Sequence, residues 1–168
     1  MTRRYLLDAG PAQDFIQHLS PTFERVFSLL RPGVVAGVCY PTLAELRGGF
    51  EASDSKAHNL ESLYRSFQWL KRWPFDLDAV QVYGEVYGTL HRTGRLIGQI
   101  DIQVAAVALA MGQTKVVTYD SDLSAIPGLT VENWLKSKSR TDFVALSSES
   151  GTMVANAILN LDEVVTRN

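Results

Sequence analysis

Gly98-Gln-Ile-Asp101-Ile-Gln-Val-Ala-Ala-Val-Ala-Leu-Ala-Met111-Gly-Gln-Thr-Lys115-Val-Val-Thr118-Tyr-Asp120-Ser-Asp122 reads as a helix, a turn and a short strand that runs into two acids. From Gly98 to Met111 the helix is apolar on nearly every side, the signature of a helix packed in an interior. Lys115-Val-Val-Thr118 is a brief β-branched run of the kind found in buried parallel strands. A buried helix feeding a buried strand is half of a βαβ crossover. It implies a parallel sheet covered by helices on both faces.

Working outward, the same alternation recurs. Tyr5-Leu6-Leu7 is a strand that ends in Asp8-Ala9-Gly10-Pro11, a turn leading into a Pro-initiated helix. Pro21 opens a helical stretch carrying Phe23, Val26, Phe27 and Leu30, and Pro32-Gly33 stops it. Val34-Val-Ala-Gly-Val-Cys39 is the second buried strand. Pro41 to Arg47 is expected as a helix ended by Gly48-Gly49, with a longer polar helix from Ser53 to Arg72. Asp76 caps a helix whose Val80, Tyr83, Tyr87 and Leu90 recur at intervals of 3, 4 and 3 before Gly94. Leu129-Thr-Val-Glu132 is the last strand, and the core is complete by Trp134. Beyond Lys136, Val154, Ile158, Leu161 and Val165 recur at 4, 3 and 4, which predicts an appended amphipathic helix that covers its own domain or serves a partner.

Composition narrows the function. With 46% hydrophobic and 20% charged residues, a chain of 168 buries enough surface to fold as one domain with an appendage. Sixteen Lys+Arg against eighteen Asp+Glu give a formal net charge of −2, which argues against a basic, nonspecific nucleic-acid coat. Arg65, Lys71, Arg72, Arg92 and Arg95 still cluster centrally, and Arg92 and Arg95 are the candidates for holding substrate phosphates. No apolar run approaches the ~20 residues of a membrane-spanning helix, and Met1 to Asp8 lacks a signal-peptide core. The single cysteine, Cys39, forbids an internal disulfide and argues against a thiolate zinc site; the expected compartment is the cytosol. His18, His58 and His91 lack zinc spacing, and Trp69, Trp73, Tyr83 and Tyr87 are expected in core or dimer contacts.

The acids carry the chemistry. Asp8 and Asp120 each follow an apolar strand, at the sheet edge where open parallel folds bind ligands. Asp101 is the only charged residue between Leu96 and Thr114. Glu45 lies among Leu43, Ala44 and Leu46, and Asp122 is two residues past Asp120. Each acid also has a local reading: a helix cap or turn for Asp8, a macrodipole partner for Asp101, a surface position for Glu45, an Asx-type turn for Asp120 or Asp122. Gathered at one edge, carboxylates repel unless a cation offsets them. Mg²⁺ or Mn²⁺ suits such oxygen ligands and activates water for in-line attack on a phosphodiester.

Leu6-Leu7-Asp8-Ala9, Pro41-Thr-Leu-Ala-Glu45-Leu-Arg-Gly-Gly-Phe50, Ile97-Gly-Gln-Ile-Asp101-Ile-Gln-Val-Ala-Ala106, Val117-Thr-Tyr-Asp120-Ser-Asp122-Leu and Ile126-Pro-Gly-Leu-Thr-Val-Glu-Asn-Trp134 occur in that order. Together they resemble the PIN-domain ribonucleases, and most of all the VapC-type toxins of bacterial toxin–antitoxin systems. The resemblance covers roughly residues 4–134. It implies a three-layer α/β/α sandwich around a central parallel sheet in residues 1–136, with 137–168 as an extension. It further implies an endoribonuclease dependent on Mg²⁺ or Mn²⁺. Asp8, Glu45, Asp101 and Asp120 match the family's acidic quartet, Asp122 a further acidic position, and Thr118 a hydroxyl residue beside the metals. Partners implied are RNA, a small cognate antitoxin and a second copy of the chain in a homodimer. Ala9 and Gly10 stand where the family usually has Thr or Ser and then Asn, and Leu123 where Phe is common; a PIN-like domain that binds RNA or a protein without cutting is the alternative. An aspartyl-phosphate phosphatase needs a second Asp at position 10, which Gly10 denies it.

Overall fold

The computed structural model describes residues 2–19 and 21–135; the predicted extension 137–168 lies outside the described residues. Among the described residues five strands form one sheet: β1 Arg3–Leu7, β2 Val34–Cys39, β3 Lys71–Trp73, β4 Thr114–Val117 and β5 Thr130–Glu132. Their order is β3-β2-β1-β4-β5 and every pairing is parallel. Six helices connect them: α1 Ala9–Ile16, α2 Thr22–Leu29, α3 Tyr40–Glu51, α4 Lys56–Ser66, α5 Leu77–Arg92 and α6 Gln99–Met111. A short 3-10 turn, Asp122–Ala125, follows β4.

Alternation along the strands sorts the core into two halves. Tyr5, Leu7, Ala36, Val38 and Val117 face α1, α2 and α4, where Phe15, Ile16, Val26, Phe27 and Leu63 meet them. Leu6, Cys39 and Val116 face α5 and α6, against Ala79, Val86, Leu90, Ile102 and Ala105. Period-two side-chain direction thus makes the three-layer α/β/α sandwich. Trp134 closes the first half, 1% exposed and tilted against Tyr5 at 5.8 Å.

Two expectations are corrected. The helix begun at Pro41 does not stop at Gly48-Gly49; α3 runs to Glu51, because buried Phe50 anchors another turn and Arg47 pairs with Glu51 at 2.8 Å. The polar segment Ser53 to Arg72 is not one helix. It becomes α4 and then the edge strand β3, since the residue before Pro74 disfavours helix and a short, charged edge strand has no hydrophobic signature. The other strands and helices fall within a few residues of the expected bounds, and Asp76 caps α5 by accepting from the Ala79 amide at 3.1 Å.

Candidate active site

From β1 the chain builds outward to β2 and β3, then returns to place β4 on the other flank of β1. That reversal opens a crevice at the carboxyl ends of β1 and β4. Asp8 leaves β1 there, and its amide extends the ladder by donating to the Val117 carbonyl at 2.9 Å. Although Asp8 occupies the N-cap position of α1, its side chain makes no cap bond. Instead the buried Thr118 hydroxyl donates to Asp8 Oδ2 at 2.8 Å, and Thr118 Oγ1 accepts the Asp120 amide at 3.0 Å. One side chain therefore links two acids that are 112 positions apart.

Asp120 uses Oδ1 to accept the Asp122 amide at 2.8 Å, the Asx-type turn anticipated for it, and remains solvent-exposed. Asp122 begins the 3-10 turn. Asp101 sits in the first turn of α6, half-buried, with Oδ2 2.5 Å from where a Cβ on Gly98 would stand; the absence of a side chain there leaves its carboxylate room. Its pKa is pushed up to about 6, first by burial, then by Asp8, Asp120, Glu45 and Asp122 in turn. Glu45, on α3, is also raised, by partial desolvation and by Asp8. All five acids thus act in one electrostatic neighbourhood.

The ion pairs among the described residues engage Glu51, Glu61 and Glu132, and none engages these five acids. Among the described residues, the local charge is left without an ion-paired counter-ion. No group of three His, Cys, Asp or Glu side chains among the described residues stands close enough together to hold a metal ion. In chemistry, however, an all-carboxylate set with a neighbouring hydroxyl fits a hard, oxygen-preferring divalent ion. Cys39 is no competing ligand: it is buried, holds Thr42 Oγ1 at 3.3 Å, and burial pushes its thiol pKa up.

Arg95 donates to the carbonyl of Ala125 at 3.4 Å, on the turn that begins at Asp122. Arg92 instead donates to Thr89 Oγ1 on its own helix at 3.2 Å. Trp69 meets Phe27 edge-on at 5.2 Å, whereas Tyr83 and Tyr87 stack at 6.0 Å on α5. His18 and His58 line a cavity of about 460 Å³ between α1, α2 and α4, away from the acids. Sequence reading passed over Tyr119, whose hydroxyl donates to Asp14 and pairs with Thr22 Oγ1 at 2.6 Å. Burial and the Asp14 carboxylate push its pKa up to about 12.

This sheet order, with acids gathered at the β1–β4 crevice, defines a PIN-type domain. No family model matches the chain. Ribonuclease VapC2 of Rickettsia felis is 28% identical over 132 residues, 79% of this chain and 98% of that protein. The structure resembles VapBC2 from the same organism bound to a promoter DNA fragment, with a TM-score of 0.72 and 27% identity over 78% of this chain and 98% of that one. It also resembles VapBC-5 of Mycobacterium tuberculosis, a member of the VapBC toxin–antitoxin family, at TM-score 0.57 and 30% identity over 77% and 95%. The chain belongs to the VapC-type family of PIN-domain proteins.

Proposed function

We propose that this chain is a metal-dependent endoribonuclease, the toxin of a type II toxin–antitoxin system. The observation that carries the reading is the field at Asp101: four further acids around one half-buried carboxyl, with none of the ion pairs among the described residues reaching them. Asp8, Glu45, Asp101 and Asp120, with Asp122 beside them, would hold Mg²⁺ or Mn²⁺. When bound, such an ion lowers the pKa of water and neutralises charge developing on a phosphodiester. Thr118 keeps Asp8 and Asp120 in register, and no side chain is needed as nucleophile. Arg95, with Arg92 one turn back, would hold the RNA phosphates.

The ribonuclease name of the Rickettsia felis relative supports the activity, and the VapBC structures support a cognate antitoxin as partner. No described helix is long and apolar enough to cross a membrane, which agrees with a cytoplasmic site of action. A homodimer completes the reading, supported by an apolar face on α5 and α6.

RNA cleavage with Mn²⁺ or Mg²⁺, with and without EDTA, tests the activity. Cleavage is expected to stop in EDTA and to fall at least ~100-fold in Asp101→Ala, as for loss of a group acting on the reacting centre. Cleavage that survives either change rejects the mechanism. RNA binding without cutting or any divalent requirement supports the non-cleaving alternative instead. Arg92→Ala with Arg95→Ala is expected to raise KM and flatten the salt dependence of RNA binding.

A further inference from the structure

The loop leaving β4 carries Asp120, and Thr118 pins it at one point from inside the crevice. That pin and the Asx-type turn onto the Asp122 amide hold the loop on its acidic side. Successive residues of an extended chain point to opposite sides, and Tyr119 points away from the acids toward α1 and α2. Its hydroxyl donates to the Asp14 carboxylate on α1 and accepts from the wholly buried Thr22 hydroxyl at the start of α2, at 2.6 Å. Asp14 enters no ion pair among the described residues, so this charge-assisted bond is where its charge is directed. The ring lies over the amino end of α1, where a Cβ on Gly10 would stand 3.0 Å from Tyr119 Cδ2 and 3.4 Å from Cε2.

Resting on the reading of the acids as a metal site, we infer that Tyr119 is a positioning residue that fixes Asp120 against Asp8 by tying the β4 loop to α1 and α2, and that Gly10 is the space its ring occupies. Thr118 and Tyr119 clamp the loop from its two sides. The departure at position 10 is then one half of a matched pair: a Cβ there would press on the ring and displace it by a few tenths of an ångström, straining both hydroxyl bonds. The partners of the clamp, 105 and 97 positions from Tyr119, come together only through the fold.

The test uses the full chain and three single variants, Tyr119→Phe, Thr22→Val and Gly10→Ala. Mn²⁺ affinity is read from the paramagnetic resonance of free ion, and loop order from amide hydrogen exchange at Asp120 and Asp122 in metal-free protein. Each variant is expected to bind Mn²⁺ roughly 10-fold more weakly, the usual effect of losing an outer support. Exchange should quicken at Asp120 and Asp122 and stay unchanged in α6, and kcat should fall with the KM for RNA unaltered. Gly10→Ala reaches the same contact from the ring side, its gain in helix propensity set against the strain on the bonds to Asp14 and buried Thr22. Wild-type Mn²⁺ affinity and wild-type exchange in both Tyr119→Phe and Thr22→Val overturn the inference. If the unaltered chain binds no Mn²⁺ while exchange still quickens in the variants, the clamp stands and the metal reading falls.

Discussion

Asp101 carries a stability cost set by burial and by the acids around it. Its ordinary pKa is 3.8 and its folded value is about 6, so between those limits the folded protein holds a proton that the unfolded chain has released. Stability therefore falls as pH rises from about 4 to about 6, and the whole penalty is present at neutral pH. Asp101→Asn removes it. In EDTA at pH 7.5 the variant is expected to melt roughly 1–3 °C higher, the scale of a fraction of a kcal/mol in a domain of this size. The gain should vanish near pH 4, and activity should be lost; a lower Tm at pH 7.5 would contradict the crowding of acids. Thr118 acts in the opposite direction. Thr118→Val keeps the shape but strips a donor from the buried Asp8 carboxylate, and urea unfolding is expected to show a loss of about 1–3 kcal/mol, together with weaker catalysis.

Elements explain what was legible in the chain and what was hidden. β1, β2, β4 and α6 are buried, so their apolar runs were readable in advance, and with them the parallel order and the acids at the strand ends. β3 carries Lys71 and Arg72 on an edge, where pairing with β2 and not hydrophobic content makes the strand. At Gly48-Gly49 the burial of Phe50 outweighs local helix propensity. Within the site, Asp8 and Asp120 were visible because each ends an apolar strand. The Tyr119–Asp14–Thr22 contact was not, because a tyrosine, an aspartate and a threonine far apart in sequence leave no periodic signal. Caps lie at the readable end of the scale. Asp76→Ala removes the bond to the Ala79 amide and is expected to cost about 1 kcal/mol in urea titrations, with RNA cleavage unchanged because Asp76 is not among the acids that act on Asp101.

At the scale of the molecule, a sheet covered on both faces accounts for the interior but not for the outside of α5 and the start of α6. Leu77 and Leu96 are 81% and 96% exposed, and Val80, Tyr87 and Ile100 accompany them. Positions 77, 80, 84 and 87 recur at 3, 4 and 3, so Leu77, Val80 and Tyr87 share one stripe, and Gly84 between them meets nothing within 4 Å. Leucines held almost wholly in water gain most from a covering surface. The small net charge of −2 sets up little repulsion between two copies. An isologous contact would place each stripe against its twin, as two-fold symmetry requires. Leu77→Glu with Leu96→Glu would then bring like charges together across the axis while sparing the core, because neither leucine belongs to it. Size-exclusion chromatography with light scattering is expected to give a two-chain mass for the unaltered protein at micromolar concentration and a one-chain mass for the double variant, with the same circular dichroism. A one-chain mass for both, or a two-chain mass for both, would remove this face as the homodimer contact.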